Sequence, residues 1–252
     1  MKTIGSTIIM LALASSLFAD NGKELKLASP DGTHEIVFYQ KQVSPAVNEL
    51  CYRVDYKSQP VVNESRAGLE LDNRIWEMAL GVRNLKQPAC WMDNLEVDSV
   101  TYQPETNLTW QPLYGERSSV RDHYRAGTLC LSKKDNSGYR LNIEVRAYNE
   151  GVAFRYFFPE HPKAIFHKVV GDLTEYALPA GTKAWTEQWA QAFFERLNID
   201  DIKHPVERAL TFELPNGKWA ALADADVDDW CLTKYLVSTD KKNTLTSVMY
   251  SP

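Results

Sequence analysis

Two neighbouring stretches concentrate the residue types best suited to chemistry. Trp185-Thr-Glu187-Gln188-Trp189 and Gln191-Ala-Phe193-Phe194-Glu195 set aromatic rings beside carboxylates and amides. Flat rings offer apolar faces to sugar C–H groups, while amides and carboxylates bind hydroxyls. Trp185, Trp189 and Glu187 are therefore candidate carbohydrate-binding residues. The same rings also suit a packed core, and the pattern leaves both readings open. Glycosidic bonds are broken by two carboxylates set ~5–9.5 Å apart. With 33 acidic residues in the chain, any pair can be nominated, so no catalytic residue is assigned.

Other constellations are weaker. G-x-S-x-G, a P-loop, a dinucleotide glycine fingerprint and H-E-x-x-H are all absent from the sequence. Histidines 34, 123, 161, 167 and 204 are scattered, with no i, i+4 ligand pair. Asp224-x-Asp226-x-Asp228-Asp229 suggests a calcium loop. The sixth and twelfth positions, which would need Gly and Glu, hold Asp229 and Tyr235 instead, and a hydrated acidic face is expected.

The elements that must position these residues are mostly strands. Leu141-Asn-Ile143-Glu-Val145-Arg-Ala147 alternates apolar and polar residues, turns at Asn149-Glu150-Gly151, and returns as Val152–Phe158. A positive φ is expected at Gly151. A second hairpin runs from Leu210–Leu214 through Pro215-Asn216-Gly217 to Trp219–Ala221. Further strands are expected at Glu35–Gln40, Cys51–Tyr56, Gly68–Leu71, Thr128–Ser132 and Thr182–Thr186, with a turn at Lys57–Pro60. Trp189–Leu197 is the best helical candidate. The pattern predicts one all-β domain of antiparallel strands, closed as two packed sheets with few short helices.

Composition narrows the function classes. The 252 residues carry 28 basic and 33 acidic side chains, so no cationic field exists for a phosphate backbone, and nucleic acid is not expected as a partner. Residues 1–19 read as a signal peptide, with Lys2 ahead of the apolar run Ile8–Ala14 and small residues before Asp20. No run approaches the ~20 apolar residues of a membrane span. A periplasmic or secreted protein without a membrane partner is expected. Cys51, Cys90, Cys130 and Cys231 allow three disulfide pairings, or four buried thiols.

Several segments together resemble the N-terminal domain of glycoside hydrolase family 97. They are Ser29-Pro30-Asp31-Gly32, the Tyr114-Gly115-Glu116 segment ending at Tyr124, and Glu144–Tyr156. Ala184-Trp185, Phe194-Glu195 and Glu207-Arg208-Ala209-Leu210 follow in the family's order. The family usually has proline at the Ala209 position and glutamate-alanine at Asp224-Ala225. The resemblance implies an antiparallel super-β-sandwich, similar to galactose mutarotase-like folds, over residues 20–252. In the family this sandwich precedes a catalytic barrel that supplies the catalytic carboxylates and most ligands of a calcium ion. Glu195 matches the sandwich's one calcium ligand. This chain is expected to stop before the last sandwich strands and the barrel, which needs ~250 residues. No cofactor is then expected for the chain alone. The implied role is a non-catalytic, carbohydrate-binding module of an exported α-glucosidase or α-galactosidase. The alternatives are a scaffold that packs on a separate barrel and an aldose epimerase pairing His123 or His167 with Glu144 or Glu195.

Overall fold

The computed structural model describes residues 23–82, 90–225, 227 and 230–250. The signal-peptide segment and Asp226, Asp228 and Asp229 of the acidic run lie outside the described residues.

Strands β1 (Leu25–Ala28), β2 (His34–Ser44), β3 (Val47–Tyr56) and β4 (Gln59–Arg66) form one sheet in chain order. Asp31 ties the first turn by accepting from the Ser29 hydroxyl at 2.7 Å and the Thr33 N–H at 2.9 Å. These bonds lower the Asp31 carboxyl to about 2. Lys57 and Ser58 both take positive φ, so two residues close the β3–β4 hairpin, and Pro60 falls in the edge strand, where its missing N–H is tolerated.

Strand β5 (Leu69–Leu71) leads into helix α1 (Arg74–Ala79). A second sheet contains β6 (Glu96–Tyr102), β7 (Thr106–Trp110), β8 (Val120–Ser132), β9 (Arg140–Tyr148) and β10 (Gly151–Phe157). The long β8 pairs β6 along its C-terminal half and β7 along its N-terminal half. The β9–β10 hairpin forms as expected, except that Asn149-Glu150 alone make the turn. Gly151 pairs with Tyr148 and is not left-handed.

Strand β11 (Val169–Asp172) pairs β5, and β12 (Glu175–Ala177) later joins the edge of a C-terminal sheet. A further sheet, in the order β14-β13-β15-β16, uses β13 (Lys183–Thr186), β14 (Glu195–Asn198), β15 (Leu210–Glu213) and β16 (Trp219–Leu222). Strands β17 (Leu232–Val237) and β18 (Thr244–Tyr250) complete the β12-β18-β17 sheet. Every strand pairing among the described residues is antiparallel. The fold is thus the expected all-β sandwich, with its strands divided among five hydrogen-bonded sheets rather than two.

One aromatic spine joins these sheets. Phe154 meets Phe38 edge-on and Tyr52 at a tilt, with both ring centroids 5.2 Å away. Tyr52 then contacts Tyr176, which contacts Tyr235. Each such pair contributes ~0.5–1.5 kcal/mol beyond the area it buries. The Tyr52 hydroxyl donates to the Glu175 carbonyl at 2.6 Å, fastening β3 to β12. All four cysteines are free thiols, and Cys51 and Cys90 are buried in the core.

Beneath α1 lies a buried polar pocket. The Tyr139 hydroxyl donates to Glu77 at 2.5 Å, and His167 stacks on Phe158 with centroids 4.2 Å apart. Burial, and then the nearby His161, lowers the His167 pKa from 6.5 to about 4. Between those two values the unfolded chain binds a proton that the native pocket refuses. The stabilising contribution is complete above 6.5 and is lost as the pH falls towards 4. Melting temperatures measured across this range should therefore drop less steeply for His167→Gln than for the wild type. Equal slopes would show that His167 is not the linked group.

Candidate functional site

Sheet β14-β13-β15-β16 carries the predicted residues. Ala184 and Thr186 are buried while Trp185 between them is exposed, as alternation along a strand requires. Trp185 shares its outward row with Arg196, its partner on β14, and Thr211 on β15. Two residues further along β15, Glu213 accepts from Arg196 Nε at 2.8 Å and pairs with Trp219, which is 58% exposed. Trp219, not singled out from the sequence, therefore joins Trp185 on one outer face.

Glu195 pairs with Thr186, so it lies on the opposite face of the sheet from Trp185. It borders a cleft of about 320 Å³ with Gln188, Asp201 and His204. Asp201 already accepts from Asn198 Nδ2 at 2.7 Å. Among the described residues, no group of three or more His, Cys, Asp or Glu side chains is placed to hold a metal ion. Calcium takes 6–8 oxygen ligands, and the described residues do not bring that many together around Glu195.

Between β13 and β14 the chain makes a loop with a fixed base. The Glu187 carbonyl accepts from the Glu207 N–H at 2.9 Å. The next carbonyl, of Gln188, accepts from Lys234 Nζ at 2.8 Å. That ammonium also pairs with Glu207 at 2.8 Å, and both side chains are nearly withdrawn from water. A turn closed by Ala192 N–H to Trp189 C=O follows, and Trp189 and Phe194 project outward with Phe193, which is 93% exposed. The expected helix over Trp189–Leu197 does not form. Pairing with β13 satisfies the backbone from Glu195 onward, and no surface lies beneath Phe193 to bury a helical apolar stripe.

Two further expectations are corrected. His123 hydrogen-bonds Glu105 at 2.7 Å, Glu144 is engaged by Arg155 at 2.7 Å, and His167 packs beneath α1. Neither histidine meets Glu144 or Glu195, so the epimerase pairing is not assembled. Asp224 does not sit on a hydrated face: it is half-buried, 3.4 Å from Arg208 Nε.

Residues 27–252 match the family described as Glycosyl-hydrolase 97 N-terminal. The chain belongs to that family. A retaining alpha-galactosidase of Bacteroides thetaiotaomicron is 23% identical over 263 residues, covering 98% of this chain and 35% of that protein. A family 97 enzyme of Pseudoalteromonas sp. strain K8, solved with acarbose, superposes with a TM-score of 0.75 at 22% identity. The superposition covers 89% of this chain and 32% of that one. A beta-arabinopyranosidase superposes with a TM-score of 0.70 at 16% identity, over 89% of this chain and 35% of its own. This family 97 sandwich thus spans about a third of the length of these relatives.

Within the family 97 domain, the recurring motifs map onto structural parts. Glu207 and Arg208 supply the ion pairs to Lys234 and Asp224, and the Glu144–Tyr156 hairpin places Phe154 and Tyr156 against the core.

Proposed function

We propose that this domain is the non-catalytic, carbohydrate-binding sandwich of a family 97 α-glycoside hydrolase, and that its loop over residues 187–195 docks against a catalytic barrel. The observation carrying this reading is that loop, with its base fixed by Lys234 and its apex presenting Trp189, Phe193 and Phe194 to solvent beside Glu195. Large rings so exposed suit a surface awaiting a partner. Trp189 and Glu187 then line one wall of the sugar site, while Glu195 lends one oxygen to a calcium ion completed by the barrel. The substrate class is an α-glucoside or α-galactoside, in keeping with the alpha-galactosidase relative and the acarbose complex. The apolar stretch at residues 8–14 supports export to the periplasm or medium.

Co-expression with a family 97 barrel tests this. A 1:1 complex on size exclusion is expected for the wild type, and Phe193→Ser should weaken it by roughly 30-fold or more, as loss of a central aromatic anchor does. Turnover of nitrophenyl α-glucosides by the isolated chain, or a complex indifferent to Phe193, would overturn the reading. Autonomous sugar binding at the outward pair Trp185 and Trp219 is a second reading, and binding lost in Trp185→Ala without any barrel would favour it.

A further inference from the structure

A concavity of about 710 Å³ lies on the outward face of β8 and β9, on a different sheet from Glu195. Its centre is Ala126, whose row partners are Arg146 on β9 and, beyond it, the equally small Ala153 on β10. One end is lined by Tyr124, whose ring centroid lies 5.1 Å from that of Tyr148. At the other end stand Thr128 and Glu144. The wall is the segment where β6 hands over to β7. There Gln103 donates its N–H to Ala126 C=O at 3.0 Å and its side-chain amide to Thr128 at 3.1 Å. The hollow is therefore built from the sheet itself, with a methyl group for a floor between two taller rows.

We propose that this hollow is a second saccharide site, for a hexose oligosaccharide. Arg146 lies 4.5 Å over the Tyr124 ring, and no carboxylate is within ion-pair distance of it among the described residues. Among the described residues its guanidinium hydrogen-bonds Tyr148 alone, at a long 3.4 Å, leaving most of its five donors for a ligand. Glu144, which lines the hollow's end, receives Arg155 on Oε2. A guanidinium and a carboxylate each bind vicinal hydroxyls in bidentate fashion, and the tyrosines offer ring surface to C–H groups. Glu144 is paired with Arg155 and Glu105 with Arg125, so neither acid adds an unpaired negative charge beside the sugar.

The site is complete in this chain, unlike the wall at Glu195. The choice of α-linked probes alone rests on the reading given above. Calorimetric titration of the whole chain with maltotriose and with melibiose tests the proposal. At least one sugar should bind. Tyr124→Ala should weaken that binding by about tenfold, and Ala126→Phe, which fills the floor without touching the core, should abolish it. Phe166→Ala, at an exposed ring outside both sites, should leave it unchanged. Absence of binding by both sugars, or binding that survives Ala126→Phe, overturns the second site. Loss confined to Trp189→Ala would instead place the sugar at the loop, so failures of the two readings are distinguishable.

Discussion

Lys234→Met is expected to lower the melting temperature by about 10 °C and to release the loop that carries Glu187 and Trp189. Lys234 is only 6% exposed, pairs with Glu207 at 2.8 Å, donates to Gln188 C=O at 2.8 Å and lies 4.4 Å over the Tyr250 ring. Removing one partner of a buried pair leaves the other charge desolvated without compensation, which costs ~3–5 kcal/mol. At ~2–4 °C per kcal/mol for a domain of this size, that gives the stated shift. The double variant Lys234→Met with Glu207→Leu should recover much of the loss, because neither charge remains to be desolvated. The recovered protein should still bind a barrel poorly, since Gln188 keeps no ammonium to hold it. A single variant that melts like the wild type would show the pair to be solvated and the loop anchored otherwise.

Trp91→Ala should destabilise the domain by about 3–5 kcal/mol, the cost of a large cavity in a packed core. Its ring is 1% exposed and touches Tyr139, Phe158 and His167, while Lys133 Nζ sits 5.2 Å above it. Its backbone N–H donates to the Leu69 carbonyl at 2.7 Å, a tie to β5 that the alanine variant keeps. Trp185→Ala provides the contrast. That ring faces water, so its loss should cost within ~0.5 kcal/mol. Urea titration of the two variants reads the difference directly, and comparable midpoints would mean that the division between core and rim is wrong.

The contrast between two tryptophans marks the limit of what sequence pattern conveys. Strand alternation is local, because successive side chains point to opposite faces whatever the strand later packs against. Hence the hairpins at Arg140–Phe157 and Leu210–Leu222, the strands through Ile36, Val54 and Ala184, and the ordered family motifs were all legible. The helix at Arg74–Ala79 was missed, although Asn73 precedes it and the left-handed Gly81 follows it. Six residues carry too little periodicity to stand out, and its Ile75 and Met78 face outward. The supposed helix at Trp189–Leu197 failed for the converse reason. Its apolar spacing was helical, but strand β13 offered a hydrogen-bonding edge and nothing offered an apolar one.

The candidate site divides in the same way. Sequence alone determined that Trp185, Glu187, Trp189 and Glu195 lie near one another along the chain, that the domain is an antiparallel sandwich, and that it belongs with family 97. Only the tertiary structure decided that Trp185 and Glu195 point to opposite faces of one sheet. It also brought Lys234, 46 residues away, to the base of their loop, and opened a hollow at Ala126. Register is the physical reason. A one-residue shift in pairing reverses every side chain of a strand, and that pairing is set by non-local contacts between segments that no short window of sequence contains.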